Sequence, residues 1–289
     1  MALAIDTPAE VRAWADTTRA SARSIALVPT MGALHRGHLE LIEAAGRLAD
    51  RVVVSIFVNP LQFGEQGDFD HYPRPLHDDL HTCEAAGVDV VYIPTAATMY
   101  PAGFSTTVSV SGLTDTLEGA SRPGHFDGVT TVVTKLFAAT RPDMAVFGEK
   151  DYQQLVVVRR MSTDLDLGVE IIAHPTVREP DGLALSSRNQ RLDDHQRRAA
   201  VCVPNAIAGA VERATTDGAD VDAVISAATR AIDDETLAEL DYVAVFDART
   251  LCPIDHFDSR DRQPGRVRLA VAARFGEVRL IDNADLFAR

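Results

Sequence analysis

Two histidines, His35 and His38, stand three residues apart where a short apolar run gives way to an amphipathic one. This spacing puts both imidazoles on one face of a helix, from which both could donate to a single phosphate group. The unpaired N–H groups at a helix N-terminus favour the same anion. Gly32 and Gly37 would let the backbone come close to a ligand. The stretch predicts a phosphate-binding site; the alternative is that one histidine caps the helix while the other is solvated.

A strand and a helix must position these histidines. The apolar run over residues 25–28 predicts the strand, and the apolar spacing over residues 39–48 predicts the helix, so that strand, tight loop and helix open a βαβ unit. Other distinctive loops also follow predicted strands; they cover residues 59–64, 148–151 and 175–188. Because ligands of open α/β sheets bind at the carboxyl ends of the strands, we expect all these loops at one sheet edge.

The rest of the chain continues this alternation. Strands are predicted over residues 51–58, 88–93, 144–147 and 169–173, with a short one near 106–110, and helices over 76–86, 128–139 and 152–161. The pattern predicts an α/β fold with a Rossmann-like parallel sheet domain over residues 1–175. Helices over 193–214 and 220–240, then strands near 242–246, 267–272 and 278–281, predict a smaller C-terminal α+β domain over residues 176–289 that serves as a lid.

Composition limits the partners. Lys and Arg number 28 against 42 Asp and Glu, and the net charge of −14 would repel a long polyanion, so nucleic acid is not expected to bind. No apolar run approaches the length of a membrane span, and we expect no membrane partner and a cytoplasmic location. The cysteines, Cys83, Cys202 and Cys252, show no metal-binding spacing and fit a reducing compartment as packing residues.

Six motifs make the chemistry specific. The His-x-Gly-His element resembles the nucleotide-binding signature of the adenylate-forming and nucleotidyl-transferring α/β superfamily, which includes the class I aminoacyl-tRNA synthetases. In order and spacing, the whole set resembles the pantoate–β-alanine ligase family over about residues 20–190, and more weakly to Leu280-Ile-Asp-Asn283. The motifs are Pro29-Thr-Met-Gly-Ala-Leu-His-Arg-Gly-His38, Ser55-Ile-Phe-Val-Asn-Pro-Leu-Gln-Phe63, Tyr72-Pro-Arg74, Arg122-Pro-Gly-His-Phe126, Phe147-Gly-Glu-Lys-Asp-Tyr-Gln-Gln-Leu155 and Asp181-Gly-Leu-Ala-Leu-Ser-Ser-Arg-Asn189.

The resemblance implies a two-step reaction. The carboxylate of pantoate attacks the α-phosphorus of ATP and releases pyrophosphate, and the amine of β-alanine then displaces AMP from the pantoyl adenylate. The implied ligands are pantoate, β-alanine and ATP as substrates, with Mg²⁺, and the implied assembly is a homodimer. Neither step requires a protein nucleophile, so we expect a site of positioning and charge-stabilising groups.

The resemblance also implies residue roles. His38, His35 and Lys150 would be catalytic, with Lys150 supplying a mobile charge for the β- and γ-phosphates. By their chemistry alone, Lys150 could be a solvated lysine at a helix end, Asp151 a helix cap, and Ser186, Ser187 and Arg188 a surface turn. The residues implied to bind ATP are Met31, Gly32, His35, Gly37, His38, Gly148, Glu149, Lys150, Asp151, Val177, Leu185, Ser186, Ser187 and Arg188.

Substrate and metal contacts complete the prediction. The residues implied to bind pantoate or β-alanine are Gln62, Gln154, Met31 and Arg122, whereas Gln153 points the other way on its helix and is predicted to be structural. Asp78 and Asp79 could hold Mg²⁺ or could be the solvated first turn of a helix. The chain departs from the family pattern at Pro75, where threonine is usual, and at Arg36, where an acidic residue is common.

Two other functions stay open from the residues. A nucleotidyltransferase that leaves the nucleotide on its product would also use His-x-Gly-His, although the motifs carrying Gln62 and Gln154 argue against it. A non-catalytic nucleotide-binding subunit is the third possibility, and the presence of both His38 and Lys150 disfavours it.

Overall fold

A computed structural model of the chain describes residues 2–64 and 69–288. These residues form two compact units: one runs through Glu149 and resumes over Gln153–Pro175, and the other comprises Lys150–Tyr152 and the chain from Thr176 onward. The predicted fold class is confirmed, with a parallel α/β sheet in the first unit and a small α+β arrangement in the second. The chain passes from the first unit to the second after Pro175, and Lys150–Tyr152 also belongs to the second unit.

The first unit is built on a six-stranded sheet in which every pair is parallel, in the order β1-β4-β3-β2-β5-β6. Along the chain, β3 and β4 lie one after the other on one side of β2, whereas β5 lies on the other side of β2. The carboxyl ends of β2 and β5 therefore flank the switch point, where open α/β sheets bind ligands. The strands are β1 (Leu3–Ile5), β2 (Ile25–Thr30), β3 (Arg51–Ile56), β4 (Val90–Tyr92), β5 (Met144–Gly148) and β6 (Glu170–His174).

Helices cover this sheet, and the sequence pattern explains why. The central strands are continuous apolar runs, as expected for parallel strands that are buried on both faces, and residues 25–28 are fully buried. In α2, Ile42 and Ala45 form the buried stripe and join the core cluster of β2 and β3. The helices are α1 (Pro8–Ala20), α2 (Arg36–Leu48), α3 (Leu76–Ala85), α4 (Ala96–Met99), α5 (Leu117–Ser121), α6 (His125–Thr140) and α7 (Tyr152–Asp164).

The second unit has its own core. An antiparallel sheet in the order β7-β8-β9 packs against the helices, and the central strand β8 is buried along almost its whole length. Small and branched side chains of α9 and α10 share one apolar cluster with the sheet. The helices are α8 (Asp194–Ala199), α9 (Cys202–Thr215) and α10 (Val221–Asp233), and the strands are β7 (Glu239–Asp247), β8 (Val267–Phe275) and β9 (Val278–Asp285).

Three predicted elements are wrong in detail. Residues 106–110 form no strand within the described ranges, because the backbone of Val108 bonds to the hydroxyls of Thr130 and Thr131 on α6. The helix predicted over 193–214 breaks into α8 and α9 shortly before Pro204, whose ring cannot continue a helix interior. The helix predicted over 220–240 ends at Asp233, and the alternating residues that follow form β7. Neither β1 nor α1 was predicted.

None of the described helices combines the length and apolar character needed to cross a membrane.

Candidate active site

The loop between β2 and α2 is fixed by a sharp turn. Gly32 and Ala33 have positive φ values of 80° and 50°. A Cβ atom on Gly32 would lie 2.8 Å from Asp79 Oδ2 and 3.0 Å from Ile56 Cγ2, so no side chain fits here. The Thr30 hydroxyl accepts from the Gly32 N–H at 3.1 Å and donates to the Ser55 carbonyl at 2.7 Å, which ties the turn to β3.

Asp79 on α3 is the main anchor of this loop. Its Oδ2 accepts from the Ala33 N–H at 2.9 Å and its Oδ1 from the Leu34 N–H at 2.7 Å. The residue is only 2% exposed. Burial raises the pKa of Asp79, and the bonds from the two amides offset part of that rise. Asp79 thus orders the backbone that carries the two histidines.

Asp78 and Asp79, the predicted Mg²⁺ pair, have different surroundings. Both oxygens of Asp79 already accept from backbone amides, whereas the side chain of Asp78 is 83% exposed and lies beside His77. Their predicted Mg²⁺ role stays a prediction. Sequence reasoning missed the anchoring role because an acidic pair at a helix start looks the same whether it is solvated or buried.

The two histidines cap α2 and also orient each other. His35 is the N-cap: its Nδ1 accepts from the Gly37 N–H at 3.1 Å, and His38 Nδ1 accepts from the His35 N–H at 3.2 Å. Their rings stack with centroids 4.1 Å apart. A ring nitrogen that accepts carries no proton, so each neutral imidazole carries its proton on Nε2. The sequence left helix capping and donation to phosphate as alternatives. In this geometry one imidazole can do both, since Nδ1 serves the cap and Nε2 carries the proton to donate.

The helix end that carries these donors keeps its positive character. No acidic residue lies in the first turn of α2. Arg36, one of the two departures from the family pattern, has a side chain that is 68% exposed and lies 3.7 Å from Glu40 on the same helix. At the second departure, Pro75 precedes α3 without a side-chain cap. An anion at the start of α2 would be favoured by the helix dipole as well as by the imidazoles.

A second loop, residues 59–63, brings Gln62 to Met31. The Gln62 amide nitrogen lies 3.2 Å from Met31 Sδ, and its Oε1 accepts from Asn59 Nδ2 at 3.0 Å. Asn59 is buried, and its Oδ1 accepts from the Tyr100 hydroxyl at 2.7 Å. These contacts orient the Gln62 amide. Neither Asn59 nor Tyr100 was predicted, although Asn59 lies inside one of the six motifs.

Arg122 lies beside the same loop. Its guanidinium donates to the Gln62 carbonyl at 3.2 Å and approaches His125 Nε2 at 3.4 Å. His125 donates through Nδ1 to that carbonyl at 2.8 Å. The start of α6 comes so close that a Cβ on Gly128 would be 2.3 Å from the Leu61 carbonyl oxygen. Met31, Gln62 and Arg122 are thus gathered at the carboxyl ends of β2 and β3.

The two glutamines of α7 differ as predicted for neighbours on a helix. Gln153 is buried, accepting from the Glu118 N–H at 2.9 Å and donating to the carbonyls of Leu113 and Thr116 at 2.8 and 2.9 Å. It holds the segment before α5 in place. Gln154 is half-buried. Its predicted contact with substrate stays a prediction.

In the second unit, the segment Lys150–Tyr152 is held by residues far away in sequence. The Lys150 carbonyl accepts from Asn283 Nδ2 at 2.9 Å, and the Tyr152 hydroxyl donates to the Ala248 carbonyl at 3.0 Å. These bonds explain why the segment belongs to this unit. The Lys150 side chain is 17% exposed, and its Nζ lies 3.9 Å from the carboxylate of Asp151. Gly148 and Glu149, also predicted to bind ATP, end β5 and follow it in the first unit.

Residues 177–188 form a small hairpin and a turn. The Leu185 N–H donates to the Val177 carbonyl at 2.9 Å, and the Glu179 N–H to the Leu183 carbonyl at 2.8 Å. Ser186 begins a short 3-10 helix, its hydroxyl accepting from the Arg188 N–H at 3.2 Å. Ser187 is 8% exposed, and Arg188 is half-buried. The predicted phosphate-binding residues Ser186, Ser187 and Arg188 therefore lie in the turn that directly follows the hairpin.

A salt bridge links this hairpin to α8. Arg197 contacts the carboxylates of Glu179 and Asp181, each at 2.8 Å. Burial alone would raise the pKa of Asp181, but the hydrogen bonds from Arg197 and from the Leu183 amide hold it below its usual value. Asp181 therefore stays charged and paired with Arg197 at neutral pH. The hairpin is thus held from α8 by charged contacts.

The described residues contain no group of three or more His, Cys, Asp and Glu side chains arranged to hold a metal ion. The three cysteines are free thiols. Burial raises the pKa values of Cys83 and Cys202 to about 12, so both stay protonated.

Comparisons with known proteins agree with one another. The family model described as pantoate-beta-alanine ligase matches residues 3–285. A pantothenate synthetase from Rhizorhabdus wittichii is 50% identical over 265 residues, covering 92% of each chain. One from Pelotomaculum thermopropionicum is 47% identical over 284 residues, covering 98% of this chain and 99% of the relative.

Solved structures give the same result. The crystal structure of pantothenate synthetase from Thermus thermophilus superposes with a TM-score of 0.91 at 45% identity, covering 99% of this chain and all of that one. The pantoate-beta-alanine ligase from Francisella tularensis, complexed with beta-gamma ATP and beta-alanine, gives a TM-score of 0.81 at 31% identity, covering 100% of this chain and 99% of that one.

Proposed function

The chain belongs to the pantoate-beta-alanine ligase family, and we propose which of its groups carry out the two steps of that family's reaction. It catalyses the ATP-dependent condensation of pantoate with β-alanine through a pantoyl adenylate. In the first step a pantoate carboxylate oxygen bonds to the α-phosphorus while the bond to pyrophosphate breaks. In the second, the β-alanine amine bonds to the acyl carbon, the bond to AMP breaks, and the nitrogen loses a proton.

The capping geometry of the histidines carries this proposal. Both His35 and His38 hold their proton on Nε2 because both Nδ1 atoms accept from the backbone. Charge on the α-phosphate oxygens grows as the new P–O bond forms, so donors fixed in advance stabilise the transition state more than the ground state. His38 is the principal donor to an α-phosphate oxygen, and His35 is a second donor.

Substrate recognition falls to the groups around the 59–63 loop. The Gln62 amide both donates and accepts, which suits the hydroxyls and carboxylate of pantoate without adding negative charge near the attacking anion. Met31, in contact with that amide, supplies apolar surface for the methyl carbons. Gln154 is the second reader of pantoate. Arg122 pairs with the carboxylate of β-alanine.

The remaining predicted residues bind ATP, and their assignment rests on the motif resemblance. Lys150 and Arg188 neutralise the β- and γ-phosphates, and the Ser186 and Ser187 hydroxyls donate to phosphate oxygens. Asp151 accepts from ribose hydroxyls. The backbone of Val177 and Leu185 lies against the adenine, and the remaining contacts come from Met31, Gly32, Gly37, Gly148 and Glu149.

Mg²⁺ enters this scheme as the companion of ATP. The described residues offer it no all-protein cage, and Mg²⁺ commonly keeps several waters and binds through substrate phosphates. When bound, it neutralises phosphate charge. We assign Asp79 to the support of the histidine loop, because it is 2% exposed and accepts from the amides of Ala33 and Leu34.

We further propose, from the resemblance alone, that the enzyme is a homodimer in the cytoplasm. Sedimentation of the purified chain tests the assembly, and a monomer mass at working concentration would contradict it. Fractionation of cells that express the chain tests the location.

Isotope exchange between pyrophosphate and ATP tests the proposed reaction. Purified protein with ATP and Mg²⁺ should exchange label only when pantoate is present, and AMP should appear only after β-alanine is added. Reactions that lack either acid are the controls. Exchange without pantoate, or AMP release before β-alanine arrives, would contradict the two-step assignment.

A further inference from the structure

Two adjacent residues of β9, Asp282 and Asn283, are buried in the second unit at 2% and 4% exposure. They lie in the weakest part of the motif resemblance. Buried polar side chains persist where their hydrogen bonds are satisfied. The partners of these two side chains indicate what they do.

Asp282 holds the base of the hairpin. Arg178 binds it through two parallel bonds, from Nη1 to Oδ2 at 2.6 Å and from Nη2 to Oδ1 at 3.0 Å. The same guanidinium donates to the Gly182 carbonyl at 2.9 Å, across the hairpin. Bidentate arginine–carboxylate pairs fix geometry as well as supplying energy. Asp282 therefore connects β9 to the hairpin that precedes Ser186.

Asn283 holds the Lys150 segment. Its Nδ2 donates to the Lys150 carbonyl at 2.9 Å, while its Oδ1 accepts from Arg268 Nε and Nη2 at 3.0 and 2.7 Å. The Arg268 guanidinium lies 4.0 Å from the centroid of the Tyr152 ring, so it supports the same segment a second time. An amide is required here because one end must donate and the other accept.

The two anchors are also joined to each other. The Asn283 N–H donates to Asp282 Oδ1 at 2.8 Å, so the oxygen that receives Arg178 is bonded to the residue that holds Lys150. Positive charges on Lys150 and on the segment of residues 177–188 are thereby attached to neighbouring positions of one strand. A shift of either side chain would change the spacing between the two.

We propose that Asp282 and Asn283 are positioning residues for adenylation, which set the spacing of Lys150 and the 177–188 segment in the second unit. The inference rests on the proposed function, in which both elements bind the phosphates of ATP. Neither residue needs to touch substrate. A misplacement of about 1 Å in a positioning group can lower a rate by about a hundredfold, so the effect should be measurable in kinetics.

Asn283→Asp is the most selective test. Aspartate keeps an oxygen for Arg268 and nearly the same shape, but it cannot donate to the Lys150 carbonyl. The matched control is Asp241→Asn, which weakens the ion pair between Asp241 and Arg279 at 2.7 Å in the same sheet. That pair joins β9 to β7, so the variant serves as a comparison in which the same sheet loses a polar contact.

The readouts separate positioning from stability. For each variant we would measure pantoate-dependent pyrophosphate exchange against ATP concentration, AMP release against β-alanine concentration, and the shift in Tm caused by ATP. For Asn283→Asp we expect kcat/KM for ATP to fall by about tenfold or more, with a smaller ATP-induced Tm shift. The KM for β-alanine should stay within about twofold of wild type because its site is untouched. Asp241→Asn should keep wild-type ATP kinetics, whatever its Tm.

Unchanged ATP kinetics in Asn283→Asp would overturn the inference, as would an equal loss in the use of ATP and β-alanine. If that variant fails to fold, Arg178→Lys replaces it, since lysine keeps the charge beside Asp282 but loses the bidentate geometry. The same loss confined to ATP is expected, and its absence overturns the proposal. A wild-type enzyme without pantoate-dependent exchange would contradict the proposed function itself, so the two failures are distinguishable.

Discussion

The two sets of phosphate-binding groups are held in different ways. At the start of α2, the histidines bond to backbone groups two and three positions away, and one distant residue, Asp79, completes the turn. In the second unit, Lys150 and the hairpin are held across 133 and 104 positions of the chain by β9. The first set is organised mainly by its own helix, the second by the sheet on which it rests.

The difference has an energetic consequence. A helix cap is a local interaction whose loss costs about 1 kcal/mol, and most of the first site would form wherever the β2–loop–α2 unit forms. The second set depends on the folding of a complete antiparallel sheet, so substitutions on β9 should reach it without contacting ATP. The histidines should be sensitive to changes in side-chain chemistry, and Lys150 to changes in its support.

The largest expected effect comes from a substitution at His38 that keeps the acceptor role of Nδ1 and removes the donor role of Nε2. Asparagine places an acceptor near the Nδ1 position and keeps the cap, but it has no donor at the Nε2 position. We expect His38→Asn to lower the rate of pyrophosphate exchange by about 10²–10³, the usual loss for one transition-state donor. Its Tm should stay close to wild type.

The complementary variant is His38→Gln, whose longer amide can reach the Nε2 position, and glutamine is also a preferred partner of the N-cap N–H at this third helical position. It should retain more activity than His38→Asn, with a Tm close to wild type. Both variants would be compared by exchange kinetics and thermal unfolding. If His38→Gln retains no more activity than His38→Asn, the reaction does not depend on a donor at the Nε2 position.

Next in size is the removal of the Lys150 charge. The Lys150→Met side chain has similar length and no ammonium group, while the carbonyl that Asn283 holds is unchanged. We expect the exchange rate to fall by about a hundredfold with an unaltered Tm, because the charge acts on phosphate and the backbone anchor survives. A Tm loss in Lys150→Met would show that the ammonium group itself supports the second unit.

The same division between local and distant contacts explains what the sequence could predict. The β2–loop–α2 unit and the six motifs were predictable because apolar periodicity and short motifs are local. The anchoring role of Asp79 was not, since its amide partners lie 45 and 46 positions away. Asn283 was visible only as the tail of a weak motif. The false strand at 106–110 has β-branched residues, but its backbone bonds to α6.

A smaller effect is expected from Asp79, the main distant anchor of the histidine loop. In Asp79→Asn, the amide nitrogen must face a backbone N–H, and one buried donor is left without an acceptor. The loss should be about 1–3 kcal/mol in the free energy of unfolding and about tenfold in exchange rate from misplacement of the loop. Urea unfolding and exchange kinetics would measure the two losses.

Asp78→Asn is the matched control for that variant, because Asp78 is adjacent and its side chain is 83% exposed. It should leave stability, exchange rate and Mg²⁺ requirement unchanged. If Asp78→Asn needs a higher Mg²⁺ concentration for half-maximal activity, Asp78 takes part in binding Mg²⁺.

The smallest expected effect is a pH dependence of the support that Asp79 gives to the histidine loop. Burial raises the pKa of Asp79 above its ordinary value of 3.8. Just above that pH the unfolded chain has lost the proton that the folded chain keeps, so the stability that Asp79 contributes falls as pH rises through this window.

Trp14 on α1, the single tryptophan, reports unfolding of the first unit by fluorescence. The free energy of unfolding of wild type minus that of Asp79→Asn should decline with rising pH and then level off. A difference that grows with pH would mean that the Ala33 and Leu34 amides outweigh desolvation, and that the first site is held by a stabilised carboxylate, as the hairpin of the second unit is by Asp181.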